Sequence, residues 1–156
     1  MKKILLIPVL AIATLISFYG CGGAPTPTDS SSTTATEATD EEIAEKGVGP
    51  VKHVELTTPL DQTMVSNGKG IYDLKCSACH RLDGTKLVGP GWKDVTSRRK
   101  PEWIMNFAIN VDEMLNSDPK AMAMLEECLV RMPNQNLTEA DARNVLEFMR
   151  NNDGVK

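Results

Sequence analysis

The chain has 156 residues and a formal charge of −4, a length that suits one domain with extensions. The charge is unevenly distributed: residues 22–67 carry eight acidic and two basic side chains, whereas residues 68–156 carry thirteen of each. A folded part that is neutral overall argues against nucleic-acid binding, which favours a basic face.

The first twenty residues have the composition of an export signal. Lys2 and Lys3 precede an apolar run over residues 4–18 that is short for a membrane span. Cys21 follows, and this start resembles a bacterial lipoprotein precursor, which implies a signal peptide over residues 1–20 and lipid on Cys21. An ordinary signal peptide, or an uncleaved anchor with an incidental cysteine, is the alternative. In each case we expect the domain on the periplasmic side of a bacterial membrane.

Residues 21–59 are predicted to form a flexible linker that is anchored by lipid. From residue 22 to about residue 42 the chain consists largely of Ser, Thr, Pro, Ala and acidic residues, which cannot bury enough apolar surface to offset chain entropy. Two glycines and two prolines keep residues 43–59 irregular. As a flexible coil this linker would reach about 35 Å, and we interpret His53 within it as a surface histidine.

Residues 60–156 show helical periodicity and no competing strand pattern. Asp61 can cap a first helix over about 62–75, whose apolar positions recur at i, i+4, i+7 and i+8. Pro101 and the pair Asp118-Pro119 can begin two further helices, and Thr138 begins the last with a sequence like a capping box. The domain is therefore predicted to be all-α, with about four helices.

The motif that organises this domain is the sequence C-S-A-C-H over residues 76–80. Cys76 and Cys79 can each add to a vinyl group on one porphyrin edge, which leaves His80 beneath the iron as its proximal ligand. A redox dithiol or a structural zinc site is the alternative. The first belongs near a strand–helix–strand pattern, and the second usually has four ligands in matched pairs. We predict one haem c, attached through Cys76 and Cys79.

A methionine is the expected sixth iron ligand, because a thioether raises the haem potential and suits electron transfer. Met132 lies in a non-helical connection before Pro133, where its side chain can point inward without a helix setting its direction. We predict Met132 as the ligand and Met114, expected in a loop, as the second choice. The remaining methionines beyond Met1 fall on predicted helices. Met64, Met122 and Met149 lie on apolar faces, where filling the core is the ordinary role, whereas Met105 and Met124 lie off the main apolar stripe.

Residues 61–151 resemble a class I cytochrome c. In that family the first helix crosses the last through a glycine and an aromatic residue, placed eight and four residues before the first haem cysteine. Gly68 and Tyr72 stand at these positions. The resemblance implies that Val145 and Phe148 are their partners on the last helix.

The resemblance also implies roles around the haem. The family's Gly-Pro pair corresponds to residues 89–90, so the carbonyl of Pro90 should accept a hydrogen bond from the proximal histidine. The family's Met-Pro pair corresponds to residues 132–133. Trp92 would pack on the haem, and Trp103, with Arg98 or Arg99, would contact the propionates. Core packing of the tryptophans and a solvated basic run are the alternatives for these residues.

A longer segment before Met132, with an extra helix that carries Cys128, departs from small family members. We interpret Cys128 as a structural thiol.

The function implied by the resemblance is electron transfer and not catalysis. The chain would shuttle single electrons, as a lipid-anchored monomer, between a quinol-oxidising membrane donor and a terminal reductase or oxidase. A haem enzyme or gas sensor with an open iron site is one alternative. A fixed cytochrome subunit of a respiratory complex is the other, and the long tether argues against it.

Overall fold

Six complete α-helices lie in the part of the chain that the computed structural model describes, which is residue 41 and residues 45–156. A π-helical turn, Tyr72–Cys76, continues the first helix into the haem motif. One isolated β-bridge joins His80 and Lys86. The all-α prediction is confirmed, with two helices more than expected. The helices are α1 (Gln62–Ile71), α2 (Val95–Arg98), α3 (Pro101–Ile109), α4 (Val111–Ser117), α5 (Pro119–Cys128) and α6 (Glu139–Asn152).

The predicted signal peptide, Cys21 and the linker as far as residue 40 lie outside the described residues. Within the described ranges, no helix combines the length and the apolar character that a membrane crossing requires.

Local capping signals begin the helices where the sequence predicts them. The carboxylate of Asp61 accepts from two backbone amides of the first turn of α1, and Asp118 does so for one amide of α5. Pro101 stands at the first turn of α3. At α6, Thr138 and Asp141 form a complete capping box, whose hydrogen bonds hold the pKa of Asp141 below its ordinary value.

The crossing of α1 and α6 is held by close backbone contact. The Cα of Gly68 lies against the backbone carbonyl of Asn144, which the sequence reasoning did not single out, and a Cβ there would also come within 2.8 Å of the Cβ of Phe148. The rings of Tyr72 and Phe148 pack with their centroids 5.4 Å apart. The predicted crossing through Gly68 and Tyr72 is therefore present.

Gly68→Ala is expected to lower the free energy of unfolding by about 1–3 kcal/mol, because the added methyl group overpacks the crossing. Denaturant unfolding of the haem-loaded protein measures the effect. Gly70→Ala is the matched control in the same helix, since a Cβ at Gly70 meets open space. That variant should be slightly stabilised, because alanine favours a helix over glycine. Equal changes in the two variants would contradict the role of the crossing.

The prediction of a flexible linker up to residue 59 is wrong for residues 46–59. Together with Leu60 these residues form the N-terminal strap (residues 46–60). The strap follows one face of α3. The side-chain carbonyl of Asn106 accepts from the backbone N–H of Val51 at 3.0 Å, and its amide group donates to the carbonyls of Lys46 (3.0 Å) and Val51 (2.9 Å). The carboxylate of Glu102 accepts from the N–H of Val54 at 2.9 Å. These buried side chains satisfy the strap backbone, which a mobile linker would leave to water.

The strap also contributes to the core. Val51, Val54 and Leu60 are buried in it, and the carbonyl of Thr57 accepts a hydrogen bond from Arg150 of α6 at 3.0 Å. The folded domain therefore includes residues 46–59 as well as the predicted residues from 60 onward. His53 points outward with its side chain 80% exposed, in agreement with its interpretation as a surface histidine.

Candidate haem-binding site

A cavity of about 490 Å³ lies between the haem motif, α3, α6 and the irregular chain that precedes α6. Cys76, His80 and Met132 all line it, and its size is that of a typical cofactor pocket. A smaller lobe of about 80 Å³ is lined by Cys79 and shares His80 and Met132 with the main cavity. The structure thus brings together the residues that the sequence assigned to haem attachment and iron ligation.

His80 is held in one orientation by its neighbours. Its Nδ1 lies 2.9 Å from the carbonyl oxygen of Pro90, so Nδ1–H donates this bond and Nε2 is the nitrogen left to bind iron. A Cβ at Gly89 would collide with the imidazole ring, so the glycine provides the space for it. Burial lowers the pKa of His80, against the opposing effect of the Pro90 bond, and this favours the neutral imidazole that metals bind.

The backbone of the proximal histidine is fixed as well. The hydroxyl of Tyr72 donates to the carbonyl of His80 at 2.8 Å. Burial raises the pKa of Tyr72, which keeps this hydroxyl a donor. Trp92 is buried beside both residues, with ring centroids 5.0 Å from Tyr72 and 5.6 Å from His80, and it lines the cavity as predicted. The sequence marked Tyr72 only as a helix-crossing residue and offered no signal for the hydrogen bond.

The two cysteines of the motif are free thiols. Cys76 is buried, and burial raises the pKa of its thiol to about 11, so its sulfur is neutral in the apolar site. Cys79 is half-buried in the adjoining lobe. Both sulfurs therefore border the space that a haem would fill. Among residues 41 and 45–156, no group of three or more His, Cys, Asp or Glu side chains could hold a metal ion.

Met132 is half-buried and lines both lobes, whereas Met114, the second choice for the iron ligand, does not reach either of them. Met114 lies on α4 and not in a loop. It is fully buried, and its sulfur accepts from the backbone N–H of Val48 in the strap at 3.0 Å. Met124 of α5 also lines both lobes, and its position off the apolar stripe of its helix was the only sequence signal for this.

Trp103 lines the cavity, and its predicted contact with a haem propionate stays a prediction. Its indole N–H donates to the carboxylate of Asp118 at 3.1 Å, and Asp118 is fully buried. The arginines remain available for the propionates, because both line the cavity. The guanidinium of Arg99 lies 4.9 Å from the Trp103 ring centroid, and Arg98 donates to the carbonyl of Lys93 at 2.9 Å.

The extra helix before Met132 is confirmed as α5, and Cys128 is its last residue. Its side chain is half-buried and lines the smaller lobe. The helix ends there because Leu129 adopts a left-handed conformation, with φ of 60°.

The residues present fit a covalently attached haem. Two free thiols, an imidazole with Nε2 left for iron and a thioether border one cavity of suitable size, and Trp92, Phe107 and Val145 make its lining largely apolar. The all-α fold and this donor set define a protein of the c-type haem class.

Comparison with known proteins gives the family. The family model for cytochrome c matches residues 65–153. The solved structure of a cytochrome c from Rhodothermus marinus is 35% identical, with a TM-score of 0.68, over 73% of this chain and 97% of that chain. The protein belongs to the cytochrome c family, as a class I monohaem member, and the family binds haem c covalently through cysteines such as Cys76 and Cys79.

Two engineered forms of the Rhodothermus marinus protein are also similar. Each is 34% identical and covers 73% of this chain and 98% of its own, with TM-scores of 0.68 and 0.65. The second is bound to a carbene intermediate, 1-ethoxy-1-oxopropan-2-ylidene. No curated protein matches the chain.

Proposed function

We propose that this protein is an electron carrier whose haem iron is bound by His80 and Met132. It would be tethered by lipid on Cys21 to the periplasmic side of a bacterial membrane. From there it would carry single electrons from a quinol-oxidising membrane donor to a terminal reductase or oxidase. The observation that carries the proposal is that His80 and Met132, which are 52 residues apart in the sequence, line one cavity with both motif cysteines beside it.

When bound, the haem supplies a one-electron couple. The chain's contribution is to keep the surroundings of that couple the same in both oxidation states. The carbonyl of Pro90 holds the ring of His80, and the hydroxyl of Tyr72 holds its backbone carbonyl. Trp92 and Phe107 are apolar parts of the cavity lining, and an apolar site with a thioether ligand disfavours the extra charge of the oxidised iron. Little then rearranges when the electron moves.

Visible spectroscopy tests whether the iron site is closed. The oxidised protein is expected to show the weak long-wavelength band of ferric haem with a methionine sulfur ligand. The reduced protein should bind carbon monoxide slowly, because Met132 has to leave first. A high-spin spectrum with rapid carbon monoxide binding would instead favour the enzyme or gas-sensor alternative, in which the iron site is open.

The tether in this proposal is shorter than the sequence alone suggests. Because the strap is packed on α3 from residue 46 onward, the part of the chain that could act as a tether ends before residue 46 and not at residue 59. Fractionation of cells that make the full chain tests the anchor: the wild type should stay with the membranes and Cys21→Ser should be released. Equal release of both forms would refute lipidation.

Exchange with partners requires the cytochrome to move freely between them. The native protein is therefore expected to purify from detergent extracts as a monomer. Membranes supplied with quinol should reduce it, and a quinol-oxidation inhibitor should block that reduction. Copurification in a fixed stoichiometry with a respiratory complex would support the subunit alternative.

A further inference from the structure

The chain over residues 127–137, here called the Met132 segment, begins in the last turn of α5 and carries Met132 towards the start of α6. It leaves α5 at Leu129, which is 85% exposed, and it has no regular secondary structure from there to residue 137. Arg131 secures one side of it through the carboxylate of Asp112, 3.0 Å away, but Asp112 belongs to α4 and not to the haem motif. The distance between Met132 and the motif therefore depends on links that join the segment to the motif itself.

Lys86 provides one such link. Its ammonium group donates to the backbone carbonyl of Glu127 at 2.7 Å, and both residues line the cavity. The backbone of Lys86 pairs with that of His80 through the isolated β-bridge, so the link starts beside the proximal histidine. The carbonyl of Glu127 is one of the last of α5, where carbonyls lack partners within the helix and a positive charge opposes the helix dipole.

Lys75 provides a second link on the other side of the motif. It immediately precedes Cys76, and its ammonium group donates to the backbone carbonyl of Gln135 at 2.9 Å, across 60 residues of sequence. The two lysines thus flank the haem motif, and their two acceptors flank Met132, five residues before it and three after it. Each end of the segment is bonded to the part of the chain that is covalently joined to the haem.

We propose that Lys75 and Lys86 are positioning residues that hold the Met132 segment against the haem and so set how often the sixth ligand leaves the iron. This inference rests on the proposed ligation by His80 and Met132. Neither lysine binds iron. An external ligand such as imidazole can bind the ferric protein only after Met132 has left, so its binding rate reports how often the segment opens.

The test uses the full haem-loaded chain with Lys75→Met, Lys86→Met and the double variant, since methionine keeps an apolar stem but has no donor. Imidazole binding to the ferric protein is expected to be about five- to tenfold faster for each lysine removed and about fifty-fold faster for both. Lys75→Arg and Lys86→Arg should bind imidazole at nearly the wild-type rate, because the guanidinium still donates.

Lys69→Met is the matched control, because Lys69 pairs with Asp73 within α1 and its π-helical turn and does not reach the segment. Its imidazole rate should equal that of the wild type. A double variant that binds imidazole at the wild-type rate, or a control that accelerates as much as the double variant, would overturn the inference. In either case, iron ligation by His80 and Met132 would still be supported if the wild-type protein shows the sulfur band. A wild type without that band that binds imidazole at once would overturn the ligation and this inference together.

Discussion

Replacement of Met132 by alanine in the haem-loaded protein is expected to abolish the ferric sulfur band and convert the spectrum to a high-spin form. The reduction potential should fall on the order of 0.1 V or more, within the range of about 0.8 V over which axial ligands set haem potentials. The reason is that a thioether stabilises ferrous iron and its loss removes that stabilisation. Absorption spectroscopy with a redox titration measures both effects.

Met124 offers the matched control, since it is a thioether that lines the same two lobes. Met124→Leu should keep the sulfur band and a potential close to that of the wild type. The opposite pattern, in which the band survives in Met132→Ala and disappears in Met124→Leu, would assign the ligand to α5. Met114→Leu should leave the band intact as well, because Met114 contacts the strap and does not line the cavity.

Asn106→Leu is expected to lower the free energy of unfolding by about 3 kcal/mol, since the buried N–H and carbonyl of Val51 and the half-buried carbonyl of Lys46 each lose a partner worth roughly 1–3 kcal/mol. Leucine fills a similar volume but can neither donate nor accept a hydrogen bond. The absorption spectrum and the potential should stay unchanged, because Asn106 bonds to the strap and does not line the cavity. Urea unfolding of the haem-loaded protein, followed by circular dichroism, gives the stability difference.

Asn110→Ala serves as the graded control for this prediction. Asn110 makes one longer bond to the strap, a donation to the carbonyl of Val48 at 3.3 Å, so its loss should cost about 1 kcal/mol. If the two variants were equally stable, the strap would not depend on Asn106 as its main attachment. A shift in the haem potential of Asn106→Leu would show that the strap also acts on the site.

Features that depend on neighbouring residues could be predicted from the sequence. Asp61, Pro101 and Thr138 begin helices where they stand, because a cap or an N-terminal proline acts on amides within its own turn. The haem attachment motif also spans only five residues, so it could be recognised without knowledge of the tertiary structure. The hydrogen bond between His80 and Pro90 was predicted from the family resemblance and is present.

The wrong predictions concern contacts between distant parts of the chain. The glycines and prolines before residue 60 correctly indicate irregular backbone. An irregular backbone need not be flexible, however. Only the hydrogen bonds to the buried side chains of Asn106 and Glu102 on α3 show that the strap is bound. Nor did the sequence indicate that the Trp103 indole donates to the buried carboxylate of Asp118, which was predicted only as a cap.

The sequence by itself determined that two thiols can attach to one porphyrin edge with an imidazole beneath the iron, and that the surrounding chain is helical, because both properties are set within a few residues. Only the tertiary structure decided which methionines reach the cavity, where the folded domain begins and which lysines bond to the chain on either side of Met132. Those outcomes depend on groups 41 to 66 residues apart, such as Lys86 with Glu127 and Val48 with Met114. Their pairing follows from how the helices pack, and no local pattern of residues encodes it.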